Sequence, residues 1–223
     1  MDLMDIKASI SEDNGIATLT NDDLQVLSVG ISTGGVAEIR MAEANPKRHI
    51  VATTIDQEGV AFAKKYIAEK HLDSQIEAKI EDVADPLPYA DANFDYIYAR
   101  LVLHYLPKDK LAKALAELYR VLKPGGKLFV VVRSTKCPDA TRPEAHFDPE
   151  TNLTACTFID EKTGKSHSFS RFFHTEESIS KYVAEAGFTV AYTKAYDEHL
   201  YVDFMRTELS PLTDNVIELL ANK

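Results

Sequence analysis

Glycines and acidic residues occur in this sequence at the positions where strands are expected to end. The stretch Gly30-Ile31-Ser32-Thr33-Gly34-Gly35 closes the apolar run 24–30. A glycine turn between a strand and a helix lets a ligand approach the backbone, and the free N–H groups of the helix start attract an anion. Asp56 ends the next apolar segment, and Glu81 with Asp82 ends the one after it. A carboxylate at the position of Asp56 is placed to accept hydrogen bonds from a ribose diol.

Two classes of ligand fit these residues. A dinucleotide would use the pattern G-x-S-x-x-G of residues 30–35. An adenosine with an amino-acid tail would place its carboxylate at the helix start and its ribose on Asp56. A tight turn without any ligand fits the glycines equally, so the residues alone leave the choice open.

The elements that must position these residues alternate regularly over the first 130 positions. Segments 24–30, 50–55, 76–80, 94–99 and 127–132 are short, apolar or β-branched, and separated by helical patterns. Strands that are apolar throughout are buried on both faces, and alternation with helices predicts parallel crossovers. The sequence therefore predicts a doubly wound α/β sheet. The side chains expected on the inner faces of its helices are Val36, Ile39, Met41, Ala42, Val60, Ala63, Ile67, Leu111, Leu115, Leu118 and Leu122.

Residues 134–174 interrupt this alternation. Three prolines predict a loop, and segments 153–159 and 166–173 flank a polar turn, which predicts a β-hairpin. We expect this insertion to form a wall of the substrate site, within a single domain that spans residues 1–223.

The last part of the chain predicts one more helix and the edge of the sheet. Thr175 is expected to cap the helix, as Asp109 is for the helix before it. Segments 188–196 and 199–205 predict an antiparallel pair of strands, and residues 214–220 a short helix.

Composition limits the partners and the compartment. The chain has 223 residues and a formal net charge of −10, without a basic patch, which argues against a nucleic-acid partner. Two cysteines form no framework, and no apolar run is long enough to span a bilayer. We therefore predict a cytoplasmic protein that acts on small molecules, of unknown oligomeric state.

Several segments together resemble the class I S-adenosylmethionine-dependent methyltransferases. VLSVGISTGG resembles their first motif, and VATTID the acidic end of their second strand. The segments IEDVADPLPYADANFDYIYARLVLHYL, LYRVLKPGGKLFVV and HTEESISKYVAEAGF resemble their later strands and helices. The resemblance covers about residues 24–206. It implies a Rossmann-like, mostly parallel seven-stranded sheet with an antiparallel last strand, with S-adenosylmethionine as cofactor.

The resemblance also implies nine cofactor contacts. They are the backbone of Gly30, Ser32 and Gly34 near the methionine portion, Asp56 and Gln57 at the ribose, Asp82 and Val83 at the adenine, and Ala99 and Arg100 beside the sulfonium.

Two residues depart from the family's first motif. Its strand acid is Ser28 here, and its second glycine is Ser32. We therefore expect strand 24–30 to bring no negative charge to the turn.

Methyl transfer from a sulfonium needs positioning more than a diagnostic catalytic group. His104, which follows the fourth strand, is the candidate base, and His146 in the loop is a second candidate. Arg171 is a candidate anchor for a substrate carboxylate or phosphate. No spacing of histidine and cysteine predicts a metal site.

The sequence therefore predicts a methyltransferase that acts on an unidentified small molecule. A non-catalytic adenosylmethionine or nucleoside binder is the first alternative, motivated by Ser28 and Ser32. An NAD(P)-dependent oxidoreductase that uses the glycine turn is the second.

Overall fold

The computed structural model describes residues 9–159, 164, 166–201, 210 and 213–223, and only the backbone of Thr33 and His167. The predicted hairpin turn and residues 202–205 of the predicted edge strand therefore lie largely outside the described part. Five α-helices occur within the described residues: α1 (Ile10–Ala17), α2 (Val36–Glu43), α3 (Gln57–Glu69), α4 (Lys108–Val121) and α5 (Glu176–Glu185).

The described strands form two sheets. They are β1 (Gln25–Val29), β2 (His49–Thr54), β3 (Ile76–Ile80), β4 (Phe94–Arg100), β5 (Leu122–Arg133), β6 (His146–Phe147), β7 (Thr154–Ile159), β8 (Ser166–Arg171), β9 (Thr189–Glu198) and β10 (Asp214–Asn222).

The larger sheet has the strand order β3-β2-β1-β4-β5-β10-β9. Strands β1 to β5 pair in parallel, whereas β10 runs antiparallel to both β5 and β9. The prediction of a mostly parallel sheet with an antiparallel last strand is confirmed. The hairpin after β5 is also confirmed as the antiparallel pair β7–β8, to which β6 adds a short third strand. The carboxyl ends of β1 to β4 thus lie along one edge, where ligands bind in open parallel sheets.

Helices cover both faces of this sheet with the side chains that the sequence predicts. The eleven residues expected on the inner helix faces are at most 5% exposed. Ten of them lie on helices, whereas Leu122, expected at the end of α4, is the first residue of β5. Thr175 caps α5 with a capping box that it forms with Ser178. The predicted cap at Asp109 is wrong, because α4 begins one residue earlier, behind Pro107, and Asp109 lies in its first turn. There its negative charge still suits the positive end of the helix.

The predictions for the last strand need two corrections. Residues 214–220 form β10 instead of a helix, and β10 is the partner of β9 that we expected at 199–205. A short apolar run fits a buried strand and a buried helix equally well. What decides is the space between β5 and β9, which buries Val216 and Leu219 completely.

None of the described helices is long and apolar enough to cross a membrane.

Candidate functional site

The turn after β1 brings backbone to the carboxyl edge of the sheet. Gly30 has a φ of 75°, and a Cβ at this position would lie 2.8 Å from Cβ of Val102. The N–H groups of Gly30 and Ile31 both donate to the carbonyl of Thr53 at 2.8 Å, which fixes the turn against β2. Only glycine fits this conformation and this contact without strain.

The helix after the turn starts later than the sequence predicts. Gly34 and Gly35 form a 3₁₀ turn with left-handed φ values, and the regular helix α2 begins at Val36 instead of near Gly34.

A buried carboxylate from α2 organises this turn. Glu38 is 0% exposed. Its Oε1 accepts from the hydroxyl of Ser28 at 2.5 Å and from the N–H of Ser32 at 3.3 Å, and its Oε2 accepts from the hydroxyl of Ser32 at 2.5 Å. The Ser32 hydroxyl in turn accepts from the N–H of Ala37 at 2.9 Å. Both serines that depart from the family motif are therefore partners of one acid, which lies in the favourable first turn of a helix.

Glu38 is the functional-site residue that sequence reasoning missed. Its neighbours Ala37 and Ile39 are apolar and buried. The position of an acid between two such residues is the sequence feature that indicates a buried carboxylate. The negative charge beside the turn thus comes from the helix and not from the strand.

Further carboxylates line the same edge at the ends of β2 and β3. Asp56 caps α3, and its Oδ1 accepts from the N–H of Glu58 at 3.1 Å. Asp82 accepts from the N–H of Ala84 at 2.9 Å. Oε2 of Glu81 accepts a hydrogen bond from the hydroxyl of Tyr89 at 3.0 Å, whereas the buried Oε1 of Glu81 has no partner among the described residues.

Two adjoining cavities follow this edge, one of about 510 Å³ and one of about 360 Å³. They share Ile31, Ser32 and Thr54. We call them together the rim cavity. Of the nine predicted cofactor residues, those that line it are Gly30, Ser32, Gly34, Asp56, Asp82, Val83 and Arg100. Gln57 is exposed at the start of α3 and Ala99 is buried in β4, and neither lines it.

Strand β4 contributes two polar groups to the rim cavity. The hydroxyl of Tyr98 is buried without a partner among the described residues, and burial raises the pKa of Tyr98 well above its ordinary value. Arg100 bonds the hydroxyls of Ser11 at 2.7 Å and Ser9 at 2.5 Å. The arginine therefore joins this edge of the sheet to the start of α1.

His104 lies in a short 3₁₀ turn after β4 and is fully buried. Neither ring nitrogen has a hydrogen-bond partner among the described residues. Burial lowers the pKa of His104 well below its ordinary value, and the nearby charges of Arg133 and Arg171 lower it further. The imidazole is therefore neutral at ordinary pH.

The other two catalytic candidates lie on the insertion. His146 is exposed on the two-residue strand β6. Arg171 donates to Asp139 at 2.6 Å, and its guanidinium lies 5.7 Å from the ring centre of Tyr105. The charge of Arg171 acts on His104, whereas His146 lines neither part of the rim cavity.

No group of three or more histidine, cysteine or acidic side chains in the described residues could hold a metal ion.

Residues 26–126 match the methyltransferase domain family. This segment contains the glycine turn, the carboxylate edge and strand β4. This match agrees with the resemblance to methyltransferases that the sequence motifs show.

The curated relatives match only part of this chain and part of their own length. A ubiquinone/menaquinone biosynthesis C-methyltransferase from Bradyrhizobium diazoefficiens is 30% identical over 110 residues, which are 49% of this chain and 42% of that protein. A malonyl-(acyl-carrier protein) O-methyltransferase from Pectobacterium atrosepticum is 33% identical over 104 residues, 46% of this chain and 36% of that protein. The chain matches less than half the length of either relative.

A solved structure has a similar fold over most of this chain. A SAM-dependent methyltransferase from Methanosarcina mazei superposes with a TM-score of 0.71 at 21% identity, over 93% of this chain and 95% of that chain. The similarity in fold therefore extends beyond the segment 26–126.

Proposed function

We propose that this protein is an S-adenosylmethionine-dependent methyltransferase that acts on a small molecule. The rim cavity carries this proposal. It runs from the glycine turn at β1 past carboxylates at the ends of β2 and β3 to β4. An elongated ligand with an amino-acid end, a ribose and a base needs this series of groups.

Two buried side-chain oxygens that lack a hydrogen-bond partner among the described residues support the binding of this cofactor. Oε1 of Glu81 and the hydroxyl of Tyr98 both belong to side chains that line the cavity, and neither has a partner among the described residues. A buried polar atom without a partner is costly, so a ligand that bonds these atoms stabilises the folded protein.

We assign the cofactor contacts as the resemblance implies them. The backbone of Gly30, Ser32 and Gly34 would hold the methionine portion, and Asp56 the ribose. Asp82 and Val83 would hold the adenine, Ala99 and Arg100 would lie beside the sulfonium, and Gln57 would lie beside Asp56. The cofactor supplies the activated methyl group. The chain's own task is to orient both reactants and exclude water.

The acceptor atom stays open within this proposal. One relative named above is a C-methyltransferase and the other an O-methyltransferase, at similar identity. We propose His104 as the residue that receives the acceptor's proton, with Arg171 as an anchor and His146 as a further candidate base. Residues 134–174 stay our proposed substrate wall, to which Arg171 belongs.

We also propose a cytoplasmic location. Cys137 and Cys156 are both buried free thiols, which suits a reducing compartment.

Calorimetric titration tests the proposal. S-Adenosylmethionine and S-adenosylhomocysteine are expected to bind, and NAD is not. Formation of S-adenosylhomocysteine during a screen of small acceptors then separates an enzyme from a mere binder. Absence of binding by either adenosyl ligand at millimolar concentration would refute the proposal, and binding of NAD alone would favour an oxidoreductase.

Replacing Asp56 with asparagine is expected to weaken S-adenosylmethionine binding about ten- to hundredfold, because the ribose loses a charged hydrogen-bond acceptor. Asparagine caps a helix as well as aspartate does, so α3 should stay intact. Calorimetry on Asp56→Asn measures the loss, and Glu69→Gln, which removes an exposed charge from the other end of the same helix, is the control. Equal affinities of the Asp56→Asn variant and the parent protein would show that the ribose is held elsewhere.

A further inference from the structure

A third, smaller cavity adjoins the rim cavity at the carboxyl ends of β4 and β5. Its volume is about 150 Å³, against about 510 Å³ for the larger part of the rim cavity. Arg100, Leu101 and Tyr105 line both. The small cavity therefore suits one functional group of a second molecule bound beside the cofactor. Its other described lining residues are Ser9, Glu12, His104, Arg133, Leu200 and Tyr201.

His104 indicates that this cavity has a ligand. Its ring is 0% exposed, and both nitrogens lack a partner among the described residues. A neutral imidazole carries one donor and one acceptor, and burying both without a partner destabilises the fold. A phenylalanine would fill the same space without that cost. A polar ligand explains why a histidine stands here.

Arg133 supplies an edge that can bind a carboxylate. Within the described residues, the polar contacts of its guanidinium all run through Nη1, to Cys137, Asp139 and Asp214. Its Nε and Nη2 groups lie side by side on the other edge. Two parallel N–H groups of this kind match the two oxygens of a carboxylate.

Each arginine around the cavity is paired with a carboxylate. Arg100 and Arg133 line it, and the carboxylates behind them are Glu198, 3.7 Å from Arg100, and Asp214, bonded to Arg133. The carboxylate of Glu12, which lines the cavity, is bonded to Arg40 at 2.8 Å. Arg171, paired with Asp139, and the neutral ring of His174 lie nearby. These pairs hold the guanidinium groups in place, while Arg133 keeps donors that a carboxylate can use.

We infer that this cavity binds the carboxylate of a small acidic methyl acceptor, with Arg133 and His104 as the groups that recognise it. The inference rests on the proposed function, since only a cofactor in the rim cavity makes the neighbouring ligand an acceptor. The binding of the carboxylate itself can be measured without catalysis.

The test is a titration of the full chain, with and without S-adenosylhomocysteine. Binding is monitored by the ring ¹⁵N NMR signals of labelled histidines. The probes are benzoate, acetate and inorganic phosphate, with benzamide as the neutral match of benzoate. Benzoate is expected to bind about tenfold or more tightly than benzamide and to shift the His104 signals. Equal binding of benzoate and benzamide, tighter binding of phosphate than of both carboxylates, or unmoved His104 signals would overturn the inference.

Two variants separate recognition from folding. Arg133→Met is expected to weaken benzoate binding about ten- to hundredfold, while Lys136→Met, which removes an exposed charge nearby, leaves it unchanged. His104→Phe is expected to unfold at the same temperature as the parent protein or higher, yet to bind benzoate at least about tenfold more weakly. Unchanged benzoate affinity in a folded His104→Phe variant would contradict the inference. Failure of S-adenosylhomocysteine to bind counts against the proposed function alone, because benzoate is also titrated without it.

Discussion

Replacing Glu38 with alanine is expected to lower the free energy of unfolding by roughly 2–4 kcal/mol and to weaken S-adenosylmethionine binding at least about tenfold. The side chain is completely buried, and it accepts three hydrogen bonds from Ser28 and Ser32. Its loss leaves the fully buried hydroxyl of Ser28 without that partner, and an unpaired buried hydroxyl costs about 1–3 kcal/mol. The turn that lines the rim cavity also loses the group that holds Ser32 in place.

Urea unfolding and calorimetry measure the two effects. Glu43→Ala is the matched control, since it removes an exposed acid from the same helix α2. A double-mutant cycle of Glu38→Ala with Ser28→Ala isolates their shared hydrogen bond, and the two losses should not add. Full cofactor affinity in a folded Glu38→Ala variant would show that the carboxylate stabilises the fold without shaping the cofactor site.

Acidification is expected to destabilise this protein well before its carboxylates are protonated. Burial lowers the pKa of His174 to about 3, and the pKa of His104 is also well below its ordinary value. In the unfolded chain both rings titrate near pH 6.5. Between these pKa values the unfolded chain binds more protons than the folded one, so the free energy of unfolding falls as the pH falls. From pH 7 to pH 5 the loss is roughly 2 kcal/mol for His174, and His104 adds to this loss.

Urea unfolding at pH 7 and pH 5 gives this difference directly. His104→Phe is expected to reduce this difference, because the phenylalanine ring cannot be protonated in the unfolded chain. His49→Gln changes an exposed histidine and should leave the difference unchanged. If His104→Phe loses as much stability on acidification as the parent protein, the acid sensitivity comes from other groups.

The elements that carry local signals were predictable from the sequence. The inner faces of α2, α3 and α4 follow from apolar residues at helical spacing, and the parallel strands from runs without polar alternation. Thr175 caps its helix as expected, since capping depends on residues within one turn. The carboxylates at the strand ends follow for the same reason, because the end of each strand is visible in the chain.

Residues whose state depends on distant segments were not predictable. The run 214–220 fits a helix or a strand until β5 and β9 surround it on both sides. Arg100 faces α1 because Ser9 and Ser11, about ninety positions earlier in the chain, accept its N–H groups. No local sequence pattern predicts a contact between residues so far apart in the chain.

The sequence by itself determined the class of sheet, the glycine turn and the acidic edge, because each depends on spacing within a single strand, turn or helix. The tertiary structure decided which buried polar groups meet. It alone placed the acid of Glu38 beside Ser28 and Ser32, and brought His104 and Arg133 to one cavity. A buried polar group must find its partner in space, and the partner's distance along the chain has no fixed value.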